Sequence, residues 1–170
     1  MKAPAASISL RVHLLPTLVE PDALRDRTVV VIDVLRATTT VCHALAAGAA
    51  CVVPCLEIDE ARAKRNEFAG CLLGGERQGR KIEGFDFGNS PTEYNAAGVG
   101  GRMVVFTTTN GTRALLRSAA ADEILLGAFV NLSALADVLH EHERVDVLCA
   151  GTNGVITAED ALFAGAMVDR

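Results

Sequence analysis

The chain has 170 residues and a formal net charge of −5, with 50% hydrophobic and only 4% aromatic residues. That length suits one domain, able to bury roughly 70% of its unfolded surface, and the acidic balance excludes a general nucleic-acid binder, which carries a basic face. The longest apolar run, Ala44 to Leu56, is interrupted by Gly48 and Pro54 and falls short of the roughly 20 residues that span a bilayer. The N-terminus carries a lysine but no long apolar stretch or clear cleavage site, so no signal peptide is expected. Cys42, Cys51, Cys55, Cys71 and Cys149 lie in apolar contexts with no C-x-x-C pair. Free buried thiols in a reducing cytoplasm explain them better than a disulfide framework or a zinc site.

In chain order, Ser7 to Leu14 alternates apolar and polar residues, the pattern of a half-buried edge strand. Pro16 to Arg27 reads as a connection. Thr28 to Val34 is a continuous run rich in β-branched residues, as expected of a strand buried on both faces. It ends at Asp33 and is followed by Arg36 and Thr38-Thr39-Thr40, any of which could cap a helix running to about Ala47. A strand at Cys51–Pro54, a helix at Ile58–Phe68 and a short strand at Cys71–Leu73 come next.

The segment Gly74 to Tyr94 is too polar and glycine-rich to read as core, and too long for an ordinary connection of about 4–6 residues. It carries Glu76, Arg77, Arg80, Lys81, Glu83, Asp86 and Asn89. It closes on Ser90-Pro91-Thr92-Glu93, a helix start with Ser90 as N-cap and Glu93 completing a capping box. A short helix over Thr92–Ala97 and a turn at Gly98–Gly101 lead to a strand at Met103–Phe106 and a helix through Arg117. Strands at Ile124–Ala128 and Val145–Cys149 flank a helix over Leu132–His142. A last helix begins near Thr157, with Asp160 as its capping carboxylate. This alternation predicts an α/β protein, a three-layer α/β/α sandwich around a mostly parallel or mixed sheet. The pattern stops at Asp169-Arg170 within a helix and without a capping glycine, as in a domain lacking its C-terminal elements.

In open α/β sheets, ligands sit beyond the carboxyl ends of the strands. Four such ends are enriched in polar residues: Asp33 to Thr40, Gly74 to Glu93, Thr107 to Thr112 and Gly151 to Glu159. Their convergence predicts a binding or catalytic cleft. Asp33 closes a hydrophobic strand, where its charge needs a metal, an arginine or a cap, and Arg36 is the nearest cation. Thr109, Asn110 and Thr112 could be helix caps and Gly111 a turn glycine. His13, His43, His140 and His142 fall away from these ends, which removes a histidine nucleophile.

Several known motifs fail. Asp33 begins like an aspartyl-phosphate loop, but no second aspartate stands two residues on. Cys71 and Arg77 match the spacing of thiol phosphatases, yet Leu72 and Leu73 place Cys71 in a strand rather than a thiolate-stabilising loop. Neither a P-loop nor a dinucleotide-binding glycine motif is present.

Asp33-Val34-Leu35-Arg36-Ala37-Thr38-Thr39-Thr40 forms the first of four blocks. Gly75-Glu76-Arg77 joins Lys81-Ile82-Glu83-Gly84-Phe85-Asp86 and Gly88-Asn89-Ser90-Pro91 in the second. Thr107-Thr108-Thr109-Asn110-Gly111-Thr112 is the third, and Ala150-Gly151-Thr152-Asn153-Gly154 with Glu159-Asp160 the fourth. In this order, over nearly the whole chain, they resemble the 2-phosphosulfolactate phosphatase family.

The resemblance implies a magnesium-dependent phosphatase that converts 2-phospho-3-sulfolactate to 3-sulfolactate and phosphate, a step towards coenzyme M. Members of that family continue past the point reached by Asp169-Arg170. Magnesium prefers oxygen ligands, which makes Asp33, Glu76 and Asp160 the candidate ligands. Asp33 and Arg36 are the expected catalytic pair, with Asp33 or a metal-activated water as nucleophile. Arg77, Lys81, Asn89, Ser90, Thr109, Asn110, Gly111, Thr112 and Gly151 are the expected substrate contacts, with Arg113 a further nearby cation. The expected partner is a small anionic phosphorylated substrate rather than nucleic acid or membrane, and a homo-oligomer is left open. The alternatives are a phosphatase for another phosphorylated hydroxy acid and a non-catalytic domain that binds an anionic metabolite.

Overall fold

The computed structural model describes residues 8–170, so Ser7 of the expected first strand lies outside the described residues. As expected, mostly parallel sheets are flanked by helices in an α/β sandwich, but among the described residues the strands divide into two sheets of four rather than one. In the first sheet the order is β1 (Ser9–His13), β8 (Arg144–Cys149), β2 (Thr28–Ile32) and β7 (Glu123–Gly127), all parallel. The second runs β3 (Cys51–Pro54), β6 (Met103–Thr107), β4 (Leu72–Arg77) and β5 (Arg80–Lys81), with only β5 antiparallel. Helix α1 (Ala37–Ala46) carries the chain from the first sheet to the second, and α4 (Gly111–Arg117) carries it back. This crossing splits the sheet, because β3 pairs with β6 and not with β2.

The core follows the sequence pattern. Every residue of β2 is buried, and its valines alternate between two apolar clusters. Val30 and Ile32 meet α5 (Leu132–Leu139) and α6 (Ala158–Val168) through Leu135, Phe163 and Met167. Val29 and Val31 pack with Leu24, Ala114 and Leu148 on the opposite face. Each fully buried aliphatic side chain of this kind contributes roughly 1.5–3 kcal/mol, so burial on both faces is what commits the run to a central strand. In the second sheet Leu72, Val104 and Phe106 pack towards α1 and α3 (Ala96–Val99). Leu73 and Val105 pack instead with Ala61 of α2 (Ile58–Glu67).

The largest departure from the sequence reading is β4, which continues through Gly74, Gly75 and Glu76 to Arg77, with all but Arg77 buried. The expected long loop is therefore a strand and a hairpin before it is a loop. Glycine makes this possible. Gly75 sits at φ +134, and a Cβ there would lie 1.9 Å from the Thr107 carbonyl oxygen. Any larger residue would push β4 off β6.

Two expected capping boxes are not formed. Ser90 Oγ lies 3.2 Å from Thr92 Oγ1, and Glu93 Oε2 accepts the Gly88 amide at 2.8 Å. Pro91–Glu93 is a 3-10 turn, and the following helix, Ala96–Val99, is capped by Asn95 Oδ1 accepting from Gly98 at 3.0 Å. The N-cap of α6, Thr157, makes no side-chain capping bond, and the Asp160 carboxylate accepts from Val34 and Gly151 rather than from the Thr157 amide. At α1 the N-cap is Arg36 rather than one of the threonines.

One buried ionic hub braces the first sheet at a distance from these loops. Asp146 of β8 is fully buried and lies directly opposite Arg11 of β1 and Val29 of β2. Its carboxylate accepts from Arg11 Nε and Nη2 at 2.7 and 2.9 Å, from Arg27 Nε, and lies 2.6 Å from His13 Nε2. Removing one partner of such a cluster leaves uncompensated charge in a dry environment. Asp146→Asn is expected to lower the unfolding free energy by about 3 kcal/mol, measured by urea denaturation. A midpoint equal to that of wild type would show that the hub is not a stabilising contact.

Candidate active site

The strand ends named by the sequence do come together. A cavity of about 370 Å³ is lined by Asp33, Leu35 and Arg36 after β2, by Glu76, Gln78 and Gly79 at the end of β4, and by Asn89. Thr109 and Asn110 after β6, and Thr152 and Asn153 after β8, complete it. Both sheets thus contribute to one site.

Asp33 is only 8% exposed. Its Oδ1 accepts the Ala37 amide at 3.2 Å, and its main chain is fixed by Thr38, whose Oγ1 accepts the Asp33 N–H at 3.1 Å and lies 2.7 Å from the Gly127 carbonyl. Burial raises the Asp33 carboxyl to about 7. The charges of Asp160 and Glu76 push in the same direction, against the amides of Ala37 and Gly111. Gly111 makes this packing possible: a Cβ there would come within 2.6 Å of Asp33 Oδ2 and 2.5 Å of the Ala37 Cβ. Among the described residues Arg36 forms no ion pair with Asp33, which leaves its guanidinium available to the cavity that it lines.

Glu76 is 7% exposed and joins two loops. Its Oε1 accepts the Thr109 amide and its Oε2 the Gly79 amide, each at 2.7 Å. Asp160, 3% exposed, does the same for the first sheet. Its Oδ1 accepts Val34 N–H at 2.9 Å and its Oδ2 accepts Gly151 N–H at 3.0 Å. Burial raises its pKa above the ordinary carboxylate range, and the Val34 and Gly151 amides oppose that shift. A further bond, from the Asn153 amide to Asn110 Oδ1 at 3.1 Å, ties the loop after β8 to the loop after β6.

The other expected site residues divide. Asn89, Thr109 and Asn110 line the cavity, and Asn89 Oδ1 and Thr109 Oγ1 are buried without a partner among the described residues. Thr112 exchanges hydrogen bonds with Thr108, its Oγ1 accepting Thr108 N–H at 3.0 Å while Thr108 Oγ1 accepts Thr112 N–H at 3.1 Å. Gly151, at φ +61, supports the neighbouring turn.

Arg77, Lys81 and Ser90 do not line the cavity. Alternation along β4 turns Arg77 away from Glu76, and its guanidinium donates to the carbonyls of Glu76 and Leu56 at 2.9 and 2.5 Å and to Thr107 Oγ1 at 2.8 Å. Lys81 Nζ donates to the Asp86 carbonyl at 2.8 Å. Arg113 is exposed on α4. The three expected metal ligands are not gathered: Asp160 lies outside the cavity lining. Among the described residues no group of three or more His, Cys, Asp and Glu side chains is placed to hold an ion.

Sequence reasoning did not single out Gln78 and Gly79, and it placed Leu35, Thr152 and Asn153 in polar blocks without naming them as contacts. Gln78-Gly79 and Asn153-Gly154 are X-Gly turn signals. The first was hidden by reading the whole segment as one loop.

Alternative nucleophiles are displaced. None of the histidines lines the cavity; His13 belongs to the Asp146 hub and His142 Nδ1 lies 2.9 Å from Thr28 Oγ1. All five cysteines are free. Burial pushes the Cys149 thiol up to about 12 and the Cys55 thiol to about 11. Cys71 sits before β4 with Sγ 3.8 Å from the Lys64 carbonyl, at the opposite end of the strand from Arg77, so the thiol-phosphatase spacing has no structural counterpart.

A family model described as 2-phosphosulpholactate phosphatase matches residues 13–170. The chain belongs to the 2-phosphosulfolactate phosphatase family. A probable 2-phosphosulfolactate phosphatase from Thermotoga petrophila is 49% identical over 144 residues, covering 85% of this chain and 62% of the relative. Its counterpart from Thermotoga maritima is 47% identical with the same coverage. That from Caldicellulosiruptor saccharolyticus is 45% identical over 157 residues, 89% of this chain and 65% of the relative. The chain therefore spans somewhat less than two thirds of the length of these relatives. Among the described residues no helix is long and apolar enough to cross a membrane.

The position of Asp33 has a stability consequence. An unfolded aspartate titrates near 3.9, while the folded one titrates at about 7. Between those values the native state keeps a proton that the unfolded state has lost, so this group's contribution falls as pH rises from about 4 to 7. Asp33→Asn, which keeps an acceptor for Ala37 but carries no charge, is expected to be more stable than wild type at pH 8 in metal-free buffer. The difference is on the order of a few kcal/mol and shrinks as pH falls towards 5. Thermal melts across this range check it, and parallel pH profiles for the two proteins would contradict it.

Proposed function

We propose that this cavity is the active site of a phosphatase that hydrolyses 2-phospho-3-sulfolactate to 3-sulfolactate and inorganic phosphate, with magnesium as its cation. One observation carries the reading: Asp33 and Arg36 from one sheet meet Glu76 from the other around a single cavity. Family membership and the names of the relatives support the same chemistry.

The lining also supports the need for a cation. Among the described residues its charged side chains are two carboxylates and one guanidinium, an unfavourable field for a polyanionic ester. Asp33 and Glu76, with the unpartnered amide oxygen of Asn89, form an oxygen-only donor set suited to magnesium, which needs one or two carboxylates beside substrate oxygens and water. When bound, such an ion would neutralise phosphoryl charge and polarise the ester.

The chain's own groups then have distinct tasks. Arg36 donates to the phosphoryl oxygens in the charge-assisted, two-pronged manner of guanidinium–phosphate pairs. The amide of Thr109 is already held by Glu76, so that carboxylate fixes the loop as well as facing the cavity. Asp33, which lines the same cavity as Arg36 and is oriented by the Ala37 amide, is suited to accept a proton from the attacking water. The new oxygen–phosphorus bond forms as the ester bond breaks, and the proton passes to the departing hydroxyl. Attack by Asp33 itself is the competing route. Acid quenching of a single turnover separates them, since phosphate would be recovered only free in the first case and transiently as a hydroxylamine-labile acyl phosphate on Asp33 in the second.

Phosphate release from 2-phospho-3-sulfolactate is expected to require magnesium and to stop on chelation. Asp33→Asn is expected to lower kcat by about 100-fold or more without loss of fold. Near-normal turnover in this variant would remove Asp33 from the reaction, and absence of turnover in wild type would overturn the phosphatase reading.

A further inference from the structure

The proposed substrate carries three acidic groups, but among the described residues Arg36 is the only cationic side chain lining the cavity. Arg77 and Lys81, the nearest cations in sequence, are engaged with backbone carbonyls and Thr107. Neutral amides must therefore recognise what Arg36 and the proposed ion do not. The phosphoester and carboxylate share one carbon of the substrate, whereas the sulfonate stands one methylene further out. With phosphate between Asp33 and Arg36, a group one methylene further out is left to the other lining residues.

Gln78 fits that place. It lines the cavity from the second sheet, at the tip of the two-residue turn joining β4 and β5. Gln78 and Gly79 have φ of 53 and 74, the doubly positive conformation of a type I′ hairpin, which favours Asn, Asp or Gly at the first position. A long carboxamide is thus kept where glycine would be less strained, a pattern that points to a role for the side chain. The tip is held in place, because Glu76 Oε2 accepts the Gly79 amide at 2.7 Å. A sulfonate spreads one charge over three weakly basic oxygens and can be satisfied by neutral N–H donors.

We infer that Gln78 is a specificity-determining residue whose carboxamide donates to the sulfonate of the substrate from the tip of the β4–β5 hairpin. This rests on the phosphatase reading. The test compares wild type and Gln78→Gly on 2-phospho-3-sulfolactate and on 2-phospholactate, the same ester without the sulfonate. Glycine suits φ +53, so the variant is expected to melt no lower than wild type. Its preference for the sulfonate-bearing ester, as the ratio of kcat/KM values, is expected to fall about tenfold through KM, the size of one lost charge-assisted hydrogen bond. Gln78→Lys, which restores a donor, is expected to recover that preference. Turnover with the wild-type ratio in Gln78→Gly would overturn the inference and leave the phosphatase standing. No turnover of either ester by wild type would overturn both.

Discussion

The site depends on two buried carboxylates that bind backbone amides rather than cations. Asp160 joins the loop after β2 to the loop after β8, and Glu76 joins the β4–β5 turn to the loop after β6. Each spans two loops of its own sheet. The Asn110–Asn153 bond then links the two sheets. Loops beyond parallel strands have no ladder to fix them. A carboxylate with oxygen atoms on two different loops supplies that constraint, because leaving a buried acceptor or amide unpaired costs about 1–3 kcal/mol.

This bracing has an electrostatic consequence at Asp33. Asp160 and Glu76 are near enough for their charges to add to the effect of burial, so an arrangement that orders the loops also disfavours the ionised form of the residue proposed to react. Acids facing a polyanion invite a bound cation, which would relieve repulsion within the protein and towards the substrate together.

The parts of this arrangement legible in the sequence were those governed by periodicity. The uninterrupted run from Val29 to Ile32 could only be a doubly buried strand, and the polar blocks after β2, β6 and β8 marked the rim. Gly74 to Arg77 was misread because composition suggested a loop, whereas Gly75 is there to let β4 approach β6. Arg77 illustrates the limit of counting cations: side chains alternate along a strand, and its neighbour Glu76 took the inward position. Asp160 sat in a capping-box spacing, yet its partners are residues 34 and 151. No local pattern records a contact across 126 positions.

The most direct measurement is a crystal structure of the protein soaked with orthovanadate and magnesium. The oxyanion is expected in the cavity, within hydrogen-bonding distance of Arg36 and beside Asp33, with Glu76 among the residues that would hold the ion. An ordered oxyanion bound elsewhere, with Asp33 and Arg36 untouched, would contradict it.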